Sequence, residues 1–166
     1  MNTLLEAQTL QDRTEPTEKQ ILFVCTGNTC RSPMAAAVYN ALYAGDHSQA
    51  FSAGLAADGS GISRNAALAL LHSGIPNGEN NEYLAHVSHT VTEADLKKAD
   101  LVVGITGRHA ARLLFAAPAY ASKITALPVD IEDPYGGDEG VYEACLSHIR
   151  EALAQMFVPT DPGKET

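Results

Sequence analysis

Tryptophan is absent from the 166 residues, aromatic side chains make up only 6%, and 11 lysines and arginines face 20 aspartates and glutamates. A formal charge of -9 repels nucleic-acid phosphates and anionic membrane faces, so neither is expected as a partner. No apolar run approaches the roughly 20 residues of a membrane-crossing helix. The opening stretch MNTLLEAQTLQDRTEPTEK also lacks the basic start and long apolar segment of an export signal, so a cytoplasmic location is expected. Three cysteines are too few, and odd in number, for a disulfide framework. No second Cys or His pair stands at zinc-ligand spacing beside Cys25 and Cys30. Asp130, Glu132, Asp138 and Glu139 lack the alternation and central glycine of a calcium loop. The expectation is therefore no metal and no cofactor.

What is present is the composition of one soluble α/β domain, with 45% hydrophobic residues and a length that leaves little room for a second core. Residues 1–19 show no sustained period and are read as an N-terminal extension, 20–158 as the domain, and 159–166 as a polar tail. Ile21-Leu22-Phe23-Val24 is apolar on consecutive positions, the pattern of a strand covered on both faces. A polar loop follows, then Arg31 to Leu42 as a helix, with Pro33 in the first turn where its missing N–H costs nothing. Further strands are expected at Ala50–Gly54, Ala99–Ile105 and Lys123–Leu127. Further helices are expected at Asn65–His72, Thr92–Lys98, Arg108–Phe115 and about Gly140–Phe157. Alternation of this kind implies a parallel sheet between two helical layers, with the site at the carboxyl ends of the strands.

The loop Cys25-Thr26-Gly27-Asn28-Thr29-Cys30-Arg31-Ser32 carries the strongest chemical signal. Backbone N–H groups converging at a helix N-terminus cradle a dianion such as phosphate, and the Arg31 guanidinium can grip two of its oxygens at once. Phosphate and vanadate are the simple anions such a cradle admits as inhibitors. A helix N-terminus and a fixed cation both favour the thiolate, the nucleophilic form of Cys25, and Ser32 is placed to donate a hydrogen bond to it. In-line attack of sulfur on phosphorus needs a proton donor for the leaving group. Asp133, stiffened by Pro134 in the loop after the last strand, offers one and can afterwards activate water. Cys30 has two readings that stand level: a partner for Cys25 in a reversible disulfide that guards against over-oxidation, or a small residue packed under the loop. Cys145 reads as buried. His47, His72, His89, His109 and His148 receive no role.

VCTGNTCRSP together with DPYGG resembles the low-molecular-weight protein tyrosine phosphatase family over about residues 20 to 157. The resemblance extends to the Ser52-Ala53-Gly54 turn, the Leu84-Ala85-His86 segment and the Ala-Asp-Leu-Val-Val strand, in the family's order. It implies a four-stranded parallel sheet in a three-layer α/β/α sandwich, with the phosphate-binding loop after the first strand. It also implies Cys25 as nucleophile, Arg31 as phosphate clamp and Asp133 as general acid. Asn28 and Ser32 would hold the loop in shape, and His86 would brace it. Phosphorylated proteins are the implied partners; the sequence itself does not give the oligomeric state, and a monomer is the default expectation.

Two departures bear on specificity. Leu55-Ala56-Ala57 supplies no aromatic where tyrosine-directed members carry one, and Thr29 stands where they have isoleucine or leucine. CTGNTCRS is similar to the protein arginine phosphatase branch, which makes Thr29, Leu55 and Tyr135 the candidate specificity residues and phosphoarginine the expected substrate. Phosphotyrosine is the alternative. An arsenate reductase of the same fold would carry a close cysteine pair after the second helix, and residues 74–95 contain no cysteine. A phosphocysteine carrier would have no use for Asp133.

Overall fold

In the computed structural model, residues 18–160 are described. Four parallel strands form one sheet in the order β2-β1-β3-β4: β1 (Lys19–Cys25), β2 (Ser48–Gly54), β3 (Leu101–Gly104) and β4 (Ile124–Ala126). The helices are α1 (Arg31–Leu42), α2 (Arg64–His72), α3 (Glu93–Lys98), α4 (Gly107–Ala116) and α5 (Glu139–Met156). Two 3₁₀ turns, Tyr83–Ala85 and Pro118–Lys123, were not expected from the sequence. Both are too short for an apolar period to form.

The apolar run of β1 is buried on both faces, as its lack of alternation implies. Ile21 and Phe23 join the larger core beneath α1, α2 and α5, while Leu22 and Val24 join Leu96 of α3 and Leu113 of α4 on the opposite face. All four β1 side chains are fully buried. At about 25 cal/mol per Å² of apolar surface, a large aliphatic or aromatic side chain so placed contributes about 1.5–3 kcal/mol, which makes β1 the axis of the domain.

β1 starts at Lys19, inside the stretch assigned to the N-terminal extension, because Lys19 N–H pairs with the His47 carbonyl. Residues 1–17 of that extension lie outside the described residues. At the other end, Thr160 donates to the Leu42 carbonyl through both its N–H and its hydroxyl, at 2.9 and 3.2 Å, so the chain is still tied down past 158. Residues 161–166 of the expected tail lie outside the description.

From β1 the chain steps to β2 on one side and then back to β3 on the other. Such a reversal opens a crevice at the carboxyl end of the central strand. That end is Cys25.

Candidate active site

Cys25 closes β1, with its backbone locked in register opposite Gly54. From Thr26 to Cys30 the chain curls, and α1 starts at Arg31. The N-cap residue of α1, Cys30, provides no side-chain hydrogen bond, so the first N–H groups of the helix stay open to an anion.

Asn28 organises the curl. It is fully buried with φ of 60°, a left-handed conformation that asparagine tolerates better than most residues. Its Nδ2 donates to Ser32 Oγ (2.8 Å) and Ser52 Oγ (3.0 Å), and its Oδ1 accepts from the His89 N–H (3.1 Å). His86 Nε2 lies 2.7 Å from the Asn28 carbonyl, and because a carbonyl only accepts, that nitrogen carries the proton. Burial lowers the pKa of His86, which favours the neutral ring.

The Ser32 hydroxyl oxygen accepts from Asn28 and lies 2.9 Å from Cys25 Sγ and 3.5 Å from the Ala53 carbonyl, so its one proton is placed to turn to the sulfur when Cys25 is a thiolate. Cys25 and Ser32 are both buried. Gly54 lets β2 come close enough to complete the floor, since a Cβ there would sit 2.5 Å from the Thr26 carbonyl oxygen.

Arg31 lies beneath the loop with its side chain only 9% exposed; Nη1 donates to the Ile131 carbonyl (3.1 Å) and Nη2 lies 3.6 Å from Asp133 Oδ2. Asp133 is 56% exposed. Its Oδ1 accepts from the Tyr135 N–H (3.1 Å), an Asx turn of the kind Asp-Pro sequences favour. The cavity between these two loops is about 280 Å³ and is lined by Cys25, Thr29, Arg31, Asp58, Asp133 and Tyr135, among others. Thr26, Gly27, Asn28 and Cys30 complete its floor.

Of the expected site residues, the structure brings all of the Cys25–Ser32 loop together with Asp133 and Tyr135, and sets His86 behind the loop. Leu55 is a correction. The Leu55 N–H bonds to the Cys25 carbonyl and the Ala56 N–H to the Thr26 carbonyl, so the chain bends at these two residues just past β2 while staying tied to the Cys25 loop. Leu55 therefore packs with the Leu22 and Val24 core and lines a separate apolar groove, and Ala56 and Asp58 face the cavity instead.

Cys25 and Cys30 are both free thiols. Cys30 Sγ is engaged with Ser63 Oγ (3.3 Å) and Tyr142 Oη (3.4 Å). Cys145 is also buried, and its thiol is pushed up to about 12, chiefly by desolvation. Among the described residues, no group of three or more His, Cys, Asp or Glu side chains is arranged to hold a metal, and no helix is long and apolar enough to cross a membrane.

Ala56 and Asp58 of the cavity and His109 of the adjoining cleft were missed from sequence. Ala56 and Asp58 carried no local signal. His109 had one: Thr106-x-x-His109 is the spacing of a capping box, and the structure forms both of its bonds.

Residues 20–165 match the family described as low molecular weight phosphotyrosine protein phosphatase. A protein-arginine-phosphatase of Bacillus subtilis is 33% identical over 145 residues, covering 82% of this chain and 93% of the relative. An arsenate reductase of Halalkalibacterium halodurans is 38% identical over 140 residues, covering 84% and 93%. The solved arginine phosphatase of Geobacillus stearothermophilus superposes with a TM-score of 0.72 at 32% identity, over 83% of this chain and 90% of that one.

Proposed function

The chain belongs to the low molecular weight phosphotyrosine protein phosphatase family, and from that premise and the cavity we propose that it hydrolyses phosphoarginine on proteins through a cysteinyl phosphate at Cys25. The enzyme is a cysteine-based protein phosphatase; the substrate and the residue roles are the proposal.

Cys25 Sγ attacks phosphorus in line while loop N–H groups and Arg31 hold the three equatorial oxygens. Asp133 protonates the departing guanidine nitrogen as the P–N bond breaks. Water, deprotonated by Asp133, then attacks the phosphocysteine and releases inorganic phosphate. The Ser32 hydroxyl, 2.9 Å from Sγ, stabilises the thiolate that leaves in this second step. In the structure Arg31 reaches Asp133; a bound phosphoryl group would take over the guanidinium and release the carboxyl for proton transfer.

The observation that carries the substrate choice is the cavity wall. Thr29, Ala56 and Asp58 line it where a phenyl ring would want apolar walls, and Tyr135 is the one aromatic among the described lining residues. A phosphorylated guanidinium keeps a positive charge, which the Asp58 carboxylate matches, while Asp133 carries the proton it delivers. The relatives named protein-arginine-phosphatase support the same choice.

The test is kcat/KM on phosphoarginine and phosphotyrosine peptides for wild type and Thr29→Ile. Wild type is expected to favour phosphoarginine and the variant to reverse the order, a change of about ten- to two-hundred-fold for one pocket contact. Wild-type preference for phosphotyrosine, or an unmoved ratio, sinks the arginine assignment. Arsenate reduction, as named for one relative, needs a reachable third thiol, and Cys145, buried with its thiol raised, is poorly suited to that. Mild oxidation is expected to link Cys25 to Cys30 reversibly, read by mass spectrometry; irreversible loss without that link leaves Cys30 a packing residue.

A further inference from the structure

His109 lies on the first turn of α4, on the far side of the loop from His86, and is 6% exposed. Its Nδ1 accepts the Thr106 backbone N–H at 3.2 Å and stands 3.0 Å from Thr106 Oγ1. A ring nitrogen that accepts a backbone N–H holds no proton of its own, so the proton of the neutral ring is on Nε2. Burial, helped by the positive charge of Arg31, pushes His109 down to about 4, and the single-proton ring is the form present at neutral pH. Nε2 lies 3.0 Å from Thr26 Oγ1. With that proton committed to the oxygen, the Thr26 hydroxyl must direct its own proton elsewhere. Thr26 is exposed and follows Cys25 directly; it lines both the cavity with Cys25, Arg31 and Asp133 and the adjoining cleft of Arg108, Asp130 and Glu132.

We infer that His109 is a positioning residue: through its Nε2–H it holds the Thr26 hydroxyl with the proton turned into the cavity, a fixed donor for the phosphoryl group of the substrate. The chain runs Thr106 N–H to His109, His109 to Thr26, and Thr26 to the phosphoryl oxygen, each group donating to the next. It mirrors the opposite side of the loop, where Asn28 donates to Ser32 and the Ser32 hydroxyl lies 2.9 Å from Cys25 Sγ. α4 thereby acts on the reaction without touching the substrate. The inference rests on the reading of the Cys25 loop as the phosphate site, and it is independent of which side chain carries the phosphate.

The experiment is a double-mutant cycle on Thr26 and His109, read as kcat/KM and as the inhibition constant of inorganic phosphate, with melting temperature alongside. Thr26→Val should lose about ten- to a hundredfold in kcat/KM, the scale of one hydrogen bond to a charged group. His109→Ala should lose part of that, and His109→Gln, whose amide can place an N–H near the Nε2 position, should recover most of the difference. The key expectation is that His109→Ala has no further effect on kcat/KM in the Thr26→Val background. Losses that multiply, or a His109→Ala variant with a lower melting temperature but unchanged kcat/KM and phosphate inhibition, would make His109 a helix cap only. Should His109→Ala fail to fold, a Thr26→Val enzyme within twofold of wild type overturns the inference by itself. Full turnover by Cys25→Ser would break the underlying reading of the loop, a different failure from any of these.

Discussion

Two loops face each other across the cavity, and they are built on opposite plans. Loop 25–32 is buried at Cys25, Asn28 and Cys30 to Ser32, exposed at Thr26, and cross-tied. Asn28, Ser32 and Cys25 are nearly inaccessible, and His86, His89, Ser52, Leu55 and Ala56 all reach in to bond it. Loop 130–138 is anchored at its ends, where Asp130 Oδ1 accepts the Gly107 N–H, the Ile131 carbonyl accepts from Arg31 and the Gly137 carbonyl from Asn65, while its exposed Asp133–Tyr135 tip is held by an Asx turn and by the Gly137 N–H on the Pro134 carbonyl. Donors aimed at a developing charge are most effective when they need no rearrangement at the moment of reaction. A proton shuttle must serve first a leaving group and then water, which occupy different places. A rigid cradle opposite a lightly held acid fits a two-step displacement, and the 3.6 Å contact of Arg31 with Asp133 is where the two meet.

The comparison breaks most directly at Cys25. Cys25→Ser is expected to fall below about a hundredth of wild-type turnover, because a serine there has no comparable activation, while vanadate still binds to the backbone cradle and Arg31. Vanadate affinity by calorimetry and turnover on an aryl phosphate separate the two effects. Residual turnover above that level removes Cys25 as nucleophile.

On the other loop, Asp133→Asn should lower kcat by about 10²- to 10⁴-fold on a poor leaving group and far less on an aryl phosphate with an acidic phenol. Equal losses on both substrates would place the proton donor elsewhere. Melting temperature should hardly move, since Asp133 is half exposed and its turn bond can be replaced by the amide oxygen.

Asn28→Ala reverses that pattern. It strands Ser32, Ser52 and the His89 N–H and forces a non-asparagine residue to φ of 60°. Three buried bonds at about 1 kcal/mol each, with added backbone strain, give a loss of about 3 to 4 kcal/mol. Urea denaturation measures it. A loss below about 1 kcal/mol would show that the loop does not depend on this residue.

How much of this contrast was legible in the sequence differs between the loops. The cradle was readable because its chemistry is local: strand, tight polar turn and helix fall within residues 21–42, and Arg31 and Ser32 follow Cys25 at fixed spacing. The strand and helix positions were legible for the same reason, apolar period and turn residues being local signals. What ties the cradle down was named only in part: the resemblance pointed to Asn28, Ser32 and His86, but the bonds from Ser52, the His89 N–H and His109 were not legible, because those residues lie 24 to 83 residues along the chain from their partners and only the folded sheet brings them to the loop. Leu55 was misplaced because the bend past β2, set by backbone bonds to Cys25 and Thr26, decides which side chains face the cavity, and no local pattern encodes it. Asp133 was legible through Pro134 and its position after the last strand, while its contact with Arg31 belongs to the tertiary fold.

The network around the cradle also contains a titratable group, and that sharpens the contrast by pH. His109, facing Arg31, Arg108, Asp130 and Asp133, falls from 6.5 to about 4 on folding. Between those values the unfolded chain binds a proton that the folded chain refuses. The stability contributed by the neutral ring is therefore whole above pH 6.5 and declines as pH falls through about 4, by about 3 kcal/mol in all. His109→Gln carries no such group. The unfolding free energy of wild type should drop by that much more than the variant's between pH 7 and pH 4, the carboxylates contributing equally to both. Parallel declines would remove His109 as the source.

The smallest expected effect on stability is at the tip of the lightly held loop. Tyr135 is 84% exposed, and its side chain makes no hydrogen bond among those of the described residues. Its backbone N–H closes the Asp133 turn and survives substitution, so Tyr135→Ala should change unfolding free energy by no more than about 0.5 kcal/mol, the range of surface positions. Yet the ring lines the cavity mouth, where a substrate side chain must pass. KM should therefore rise while kcat on an aryl phosphate stays near wild type, because the ring contacts the substrate without acting on the bond that breaks. A stability loss above about 1 kcal/mol would mean that loop 130–138 is braced by its own side chains, and the contrast between a fixed cradle and a loosely held acid would no longer hold.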